Sequence, residues 1–289
     1  MSDPLRLLTV HAHPDDEASK GASTVAKYAA EGIASTLVCC TGGEAGEVLN
    51  PAMDRPEVHA DLPGVRRREL EEATTLIGYD RVDLLGYHDS GMPDTEVNAR
   101  PDNFWNADLD EAVGRLVAII RRDRPQVIVT YGDDQRHYAH PDHLKVHDIS
   151  LPAFERAADP QWYPEAGDPW QPLKLYYTVW SRQRMWSLHE KFLELGLESP
   201  FGEDWVERMR DVDQDDRITT MVPIAGFYEV REKALRAHAT QVDPTSPFWF
   251  GLPSDVARDV HPWDDYILAR SLVEAPLPED DLFAGVPGR

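Results

Sequence analysis

Two short clusters hold the groups best able to do chemistry: His13-Pro14-Asp15-Asp16 and His140-Pro141-Asp142-His143. His13, Asp16 and His143 together supply two imidazoles and one carboxylate, a set that suits a divalent metal with one position left for water. That is the catalytic pattern of zinc, whereas structural zinc sites close with four ligands, mostly Cys. Asp15 sits beside a proposed ligand and can take a proton from a water attacking a carbonyl. His140 can act as a protonated donor, stabilising the tetrahedral oxyanion or delivering a proton to a leaving amine. Asp142 can orient one of these imidazoles, and Tyr138 offers a second oxyanion donor. Two His and one carboxylate also form the facial triad of non-haem Fe(II) oxygenases, but a basic Asp15 next to a ligand is the natural companion of hydrolysis. A sugar or thiol-conjugate binding protein would need neither that base nor an open metal position.

Either cluster alone reads as helix capping, because carboxylates favour helix N-termini. Their positions argue otherwise. The first follows the apolar run Leu5 to Val10 and precedes a helical pattern from Gly21 to Glu31; the second follows Gln126 to Thr130 and precedes a helical pattern from His143. In an open parallel sheet, ligands gather beyond the carboxyl ends of the strands, so two distant segments can meet at one place. Strands at Ser35 to Cys40 and Val82 to Leu85 and helices at Val65 to Ile77 and Leu109 to Arg122 complete a βαβα order. That order predicts an α/β fold with a mainly parallel sheet and helices on both faces. The connections 41–63 and 86–107 are long, rich in Gly, Pro and Asn, and follow strand ends, which makes them candidate substrate loops. Beyond about residue 160 a strand is expected at Leu173 to Val179 and helices at 183–195 and 226–239. With no repeat or flexible linker, residues 1–289 read as a single catalytic domain: a core over 1–160 and an elaboration over 161–289 that completes the pocket.

Composition narrows the partners. The chain has 289 residues, 42% of them hydrophobic, enough to bury a sizeable core. Lys plus Arg is 29 against 52 Asp plus Glu, and a formal charge of -23 repels nucleic-acid phosphates and anionic membrane surfaces. There is no membrane-length apolar run and no basic, apolar leader, so a cytoplasmic protein is expected. Cys39 and Cys40, neighbours in a strand, point to opposite faces and are expected as buried, inert thiols. His11 is expected to pack in the core, while His88, His137, His147, His189 and His261 carry no pattern that assigns them.

Ala12-His13-Pro14-Asp15-Asp16-Glu17, with His140-Pro141-Asp142-His143, resembles the LmbE/PIG-L family of metal-dependent N-acyl deacetylases. The resemblance implies a Rossmann-like fold and one zinc per chain, with Fe(II) as the other metal to consider. It implies His13, Asp16 and His143 as ligands, Asp15 as general base, and His140 and Tyr138 as transition-state stabilisers. Ser19 to Ala22, Gly42 to Asp54, Asp89-Ser90-Gly91, Lys174 to Tyr177, Arg236 to Gln241 and Leu282 to Gly285 extend the match. These segments are similar to the mycothiol S-conjugate amidases of that family. Such enzymes cleave the amide between a cysteinyl conjugate and glucosamine-inositol, and a related deacetylase removes acetate from the same sugar pair. Lys20 departs from the deacetylase pattern and favours the amidase; another thiol-linked amide is a further alternative substrate.

On that resemblance Glu47 and Asp89 would accept hydrogen bonds from sugar hydroxyls and Arg66 would donate to inositol oxygens. Arg67 and Arg68 read instead as a solvated, salt-bridged helix face. Lys20 would contact the acyl part of the conjugate, and His238 would either close the pocket or serve structural packing. Phe248-Trp249-Phe250 would either cover an apolar S-substituent or pack in the core.

Overall fold

Alternation is plainest in the first strand, β1 (Arg6–His11), where Leu7 faces one apolar cluster and Leu8 and Val10 the other, all fully buried. A strand buried on both faces belongs in the middle of a covered sheet. The computed structural model describes residues 4–136, 138–202 and 214–289. In it β1 lies between β2 (Ala34–Thr41) and β4 (Val127–Tyr131), within a seven-stranded sheet of order β3-β2-β1-β4-β5-β7-β6. The other strands are β3 (Arg81–Tyr87), β5 (Lys174–Val179), β6 (Thr220–Pro223) and β7 (Trp263–Ser271). Strands β1 to β5 run parallel, while β7 is antiparallel to both β5 and β6.

The helices are α1 (Asp16–Ser19), α2 (Ala22–Ala30), α3 (Pro56–Ala60), α4 (Leu62–Ile77), α5 (Leu109–Asp123) and α6 (Pro141–Arg156). Then come α7 (Arg182–Glu194), α8 (Tyr228–Ala237), α9 (Pro247–Phe250) and α10 (Ser254–Val260). Val25 and Tyr28 of α2, Ala73 and Ile77 of α4 and Leu235 of α8 pack on one face of the sheet. Val113, Leu116 and Ile120 of α5 and Val146, Ile149 and Ala153 of α6 cover the other. Side chains fix several helix starts: Asp61 accepts from Gly64 N, Asp108 from Glu111 N and Ser181 from Arg184 N.

Strand order reverses between β1 and β4, and the crevice beyond their carboxyl ends is where the fold leaves room for a ligand. Leu7 pairs with Val127 and Thr9 with Val129, so the two ends finish level, with α1 leaving one and α6 following the other. Strands β6 and β7 do not stand out in the sequence. In β7 the pair Asp264-Asp265 interrupts the apolar pattern, yet both are buried: Asp264 accepts from Thr24, and Asp265 from Ser181 and His261. Cys39 and Cys40 are free, buried thiols on opposite faces, and burial pushes both pKa values up. Among the described residues no helix is long and apolar enough to cross a membrane.

Candidate active site

At the end of β1 the chain turns through Asp15, a non-glycine residue at φ 116°. Such a conformation costs on the order of 1–3 kcal/mol and persists only where its surroundings enforce it. Here the Asp15 N–H donates to Glu17 Oε2 at 2.9 Å, and Arg66 Nη2 donates to Pro14 O at 2.7 Å and lies 3.4 Å from Asp15 Oδ2. The turn swings Asp16 back under His13, whose N–H donates to Asp16 Oδ2 at 3.0 Å.

Asp16 Oδ2 lies 3.4 Å from His13 Nδ1 and 3.4 Å from His143 Nε2. A tetrahedron with arms of about 2.0–2.1 Å has edges near 3.3 Å, so the spacing and the donor types fit one zinc-like ion. All three residues are buried, with candidate ligand atoms within 4.8 Å of one another. His13, Asp89 and His140 form a second trio by the same measure. His13 Nε2 already faces Asp142 Oδ2 at 3.1 Å, however, which leaves Nδ1 for the first trio. Asp142 is itself held by the Ser90 backbone N–H at 2.9 Å and by the Ser90 hydroxyl. Burial alone would lower the pKa of His13, but Asp142, Asp16 and Asp89 around it raise it well above the ordinary histidine value. Burial alone would raise Asp16, but Lys20 and His143 pull its pKa well down. His143, buried against Tyr131 with ring centroids 4.6 Å apart, has its pKa lowered to about 3, mainly by burial.

His140 differs from the sequence expectation. Its Nδ1 accepts the Asp142 N–H at 3.2 Å as the cap of α6, so that nitrogen carries no proton and Nε2–H is the available donor. Burial, then the charge on His13, lower its pKa. This geometry favours a neutral donor over the protonated one expected from sequence. Asp15 is raised, by burial first and Asp16 second, against the opposing charge of Arg66. Tyr138 is half exposed, its ring 5.3 Å from that of His143 and 6.0 Å from that of His140.

These residues line one end of a cavity of about 830 Å³. Lys20, Glu47, Arg66 and Asp89 line it too. The Lys20 ammonium is tied to Asp16 Oδ1 at 2.5 Å, so its first partner is a candidate metal ligand. Arg66 is 2% exposed and donates to Gly43 O at 2.5 Å as well as to Pro14 O, bracing the Asp15 turn while reaching the cavity wall. A Cβ on Gly43 or Gly46 would run into that guanidinium, which accounts for two glycines of the Gly42 to Gly46 stretch. Asp89 accepts from Gly91 N at 2.8 Å and lies 3.6 Å from His13 Nε2; Glu47 is exposed at the rim. Arg67 and Arg68 are exposed and pair with Glu71 and Asp61, as a solvated face requires.

Of the two readings of His238, the pocket role is overturned and structural packing holds. It is fully buried away from the cavity, and its Nε2 meets Glu17 Oε1 at 2.6 Å. Glu17 thereby joins the Asp15 backbone to the end of α8. Glu17, Ser90 and Tyr131 are the contributors that the sequence reading missed; all lie within or beside its motifs but offered no distinct spacing. His11 packs as expected, buried against Tyr131, and His137 lies outside the described residues.

The far wall of the cavity is aromatic. Trp180 stacks on Phe248 with centroids 5.8 Å apart at 11°, and Trp249 meets both edge-on. Phe250 instead lies against Arg236 and packs at the core.

The family model described as GlcNAc-PI de-N-acetylase, PIG-L, matches residues 8–154. A mycothiol S-conjugate amidase of Streptomyces coelicolor is 48% identical over 99% of both chains. A 1D-myo-inositol 2-acetamido-2-deoxy-alpha-D-glucopyranoside deacetylase of Geodermatophilus obscurus is 42% identical over the whole of both. In fold, the chain is similar to an N,N'-diacetylchitobiose deacetylase of Pyrococcus horikoshii, with TM-score 0.64 and 16% identity over 93% of this chain and 85% of that one. It is also similar to GalB, a 4-carboxy-2-hydroxymuconate hydratase of Pseudomonas putida, with TM-score 0.60 and 17% identity over 94% and 99%. The fold thus serves more than one reaction, and its residues must decide which.

Proposed function

Because this chain belongs to the PIG-L family, we propose that it is a zinc-dependent amidase that hydrolyses mycothiol S-conjugates to glucosamine-inositol and a cysteine-derived conjugate. Amide hydrolysis is common to the amidase and deacetylase relatives, and the chain is an amide-hydrolysing enzyme. This sets aside the oxygenase and simple binding readings. The observation that carries the substrate choice is the aromatic wall of Trp180, Phe248 and Trp249 at the end of a cavity of about 830 Å³. Acetyl needs no such space; a bulky apolar S-substituent does.

His13 Nδ1, Asp16 Oδ2 and His143 Nε2 would hold the metal. Once bound, it would polarise the amide carbonyl and lower the pKa of the attacking water. Asp15, its pKa raised by burial, takes a proton from that water as the C–O bond forms. His140 Nε2–H and the Tyr138 hydroxyl donate to the amide oxygen as it gains charge. Asp15 then passes its proton to the amine nitrogen as the C–N bond breaks, which leaves His140 neutral throughout. Glu47, Asp89 and Arg66 bind the sugar pair, and Lys20 fixes Asp16 at the acyl side. This reading includes a cytoplasmic location, where the free Cys39 and Cys40 persist as thiols.

The second reading is deacetylation of acetylglucosamine-inositol, favoured by the 42% identical deacetylase. Direct competition between an S-alkylated mycothiol and acetylglucosamine-inositol separates the two. The conjugate is expected to win in kcat/KM by at least about tenfold, equivalent to ~1.4 kcal/mol at the transition state. Equal or reversed preference moves the chain to the deacetylases, and no turnover of either points to another thiol-derived amide.

A further inference from the structure

Behind the aromatic wall lies a second cavity of about 30 Å³, lined by residues that include Trp180, Arg184, Phe192, Arg231, Trp249 and His261. It shares Trp180, Met185, Phe248 and Trp249 with the large cavity but contains none of the candidate catalytic residues. Its lining carries two arginines and no carboxylate, and the carboxylates nearby have other partners. Arg184 Nη1 lies 3.5 Å from Asp264 Oδ1, whose other oxygen accepts from Thr24. His261 and Asp265 are bonded to each other at 2.8 Å. Glu232 accepts from Ser254. Arg231, on α8, is 6% exposed and makes no hydrogen bond or ion pair with any described residue.

What Arg231 does have is two indole faces: its guanidinium carbon lies 5.9 Å from the Trp180 ring and 5.5 Å from the Trp249 ring. Its Nε is buried without a partner, and so is Trp180 Nε1. Burial, then repulsion from Arg184, lower the pKa of Arg231. Asp264 and Glu232 oppose that lowering from a distance, but a buried guanidinium with no carboxylate in contact is unfavourable. Water would satisfy the orphan donors but would place no charge opposite the two arginines of the lining.

We propose that this cavity binds one small monovalent inorganic anion, of the size of chloride, held by Arg231 and Trp180 with Arg184 as the second cation. A volume of about 30 Å³ accepts one or two water-sized particles, which admits a halide and excludes a phosphate or a carboxylic-acid metabolite. Since Trp180, Phe248 and Trp249 line both cavities, a bound halide braces the aromatic wall from behind.

The test uses the full-length, metal-loaded protein. Thermal midpoints are followed in sodium chloride, bromide or gluconate at constant ionic strength. Halides are expected to give a saturable rise, on the order of 5 °C at a hundredfold excess over the dissociation constant, and gluconate none. Crystals soaked in bromide should show an anomalous peak within hydrogen-bonding reach of Arg231, and Arg231→Met should abolish the halide dependence. If that variant does not fold, the bromide experiment on the wild type still decides. Equal midpoints in halide and gluconate, or no anomalous density in the cavity, would overturn the proposal.

Discussion

Asp15 carries two burdens: it is the proposed base, and it holds a backbone angle of φ 116° that glycine would adopt with less strain. The two separate by substitution. Asp15→Asn keeps the shape and is expected to retain about one metal per chain while turnover falls by about 10² to 10⁴. Asp15→Gly should lose as much activity yet gain about 1 kcal/mol of stability as strain is released. His143→Ala, which removes one of three proposed ligands, should instead lose the metal. Metal analysis beside denaturation curves distinguishes the three, and an Asp15→Asn protein that loses its metal would contradict the assignment. At this scale the sequence was most legible where chemistry restricts residue type. His13, Asp16 and His143 converge as their motifs implied. The protonation of His140 was not legible, because it depends on the Asp142 N–H at the start of α6.

Between elements, the Glu17–His238 contact ties α1 to the end of α8, with both side chains fully buried. Burial opposes charge on each, but each is the other's leading compensation: the pKa of His238 is raised and that of Glu17 lowered. The histidine's contribution to stability is complete below its ordinary value of 6.5 and is lost as pH rises through its raised pKa. The carboxylate's contribution is complete above 4.5 and is lost as pH falls through its lowered pKa. His238→Ala leaves Glu17 buried without its partner and should cost about 3–5 kcal/mol. In chemical denaturation the gap from wild type should be widest between pH 4.5 and 6.5; a gap that widens steadily above neutrality would show the pair is not ionic. The sequence left His238 between the pocket and structural packing because a helix-borne histidine gives no sign of which partner lies behind it. Elements of the first half were legible because their apolar periodicity is clean. Strand β7 was not, because its two acids read as exposed until Thr24, Ser181 and His261 meet them.

For the molecule as a whole, the large cavity has a polar end made by β1, β4 and the loops after β2 and β3, and an aromatic end made by the C-terminal half. If the aromatic end receives the S-substituent, Phe248→Ala should lower kcat/KM for a bulky conjugate about tenfold, ~1.4 kcal/mol, and leave acetylglucosamine-inositol nearly unchanged. Equal losses on both substrates would mean that Phe248 serves the wall's structure and not its selectivity.

One pair in the sheet bears on how the chain is made. Lys174, fully buried in β5, meets Glu279 Oε1 at 2.5 Å across 105 residues of sequence, and Tyr176 and Thr220 bond the other oxygen of that carboxylate. Between Lys174 and Glu279 in the chain comes β7, which covers the edge of β5. A ribosome adding about 5–20 residues per second needs roughly 5–20 s to cross that interval. For most of it the nascent protein has every strand of the β1 to β5 array and an uncovered β5 edge, and to its end a lysine whose counter-charge has yet to be synthesised. The parallel half can therefore collapse early but cannot close its edge until β7 has been made, and that interval is when a chaperone has most reason to hold it.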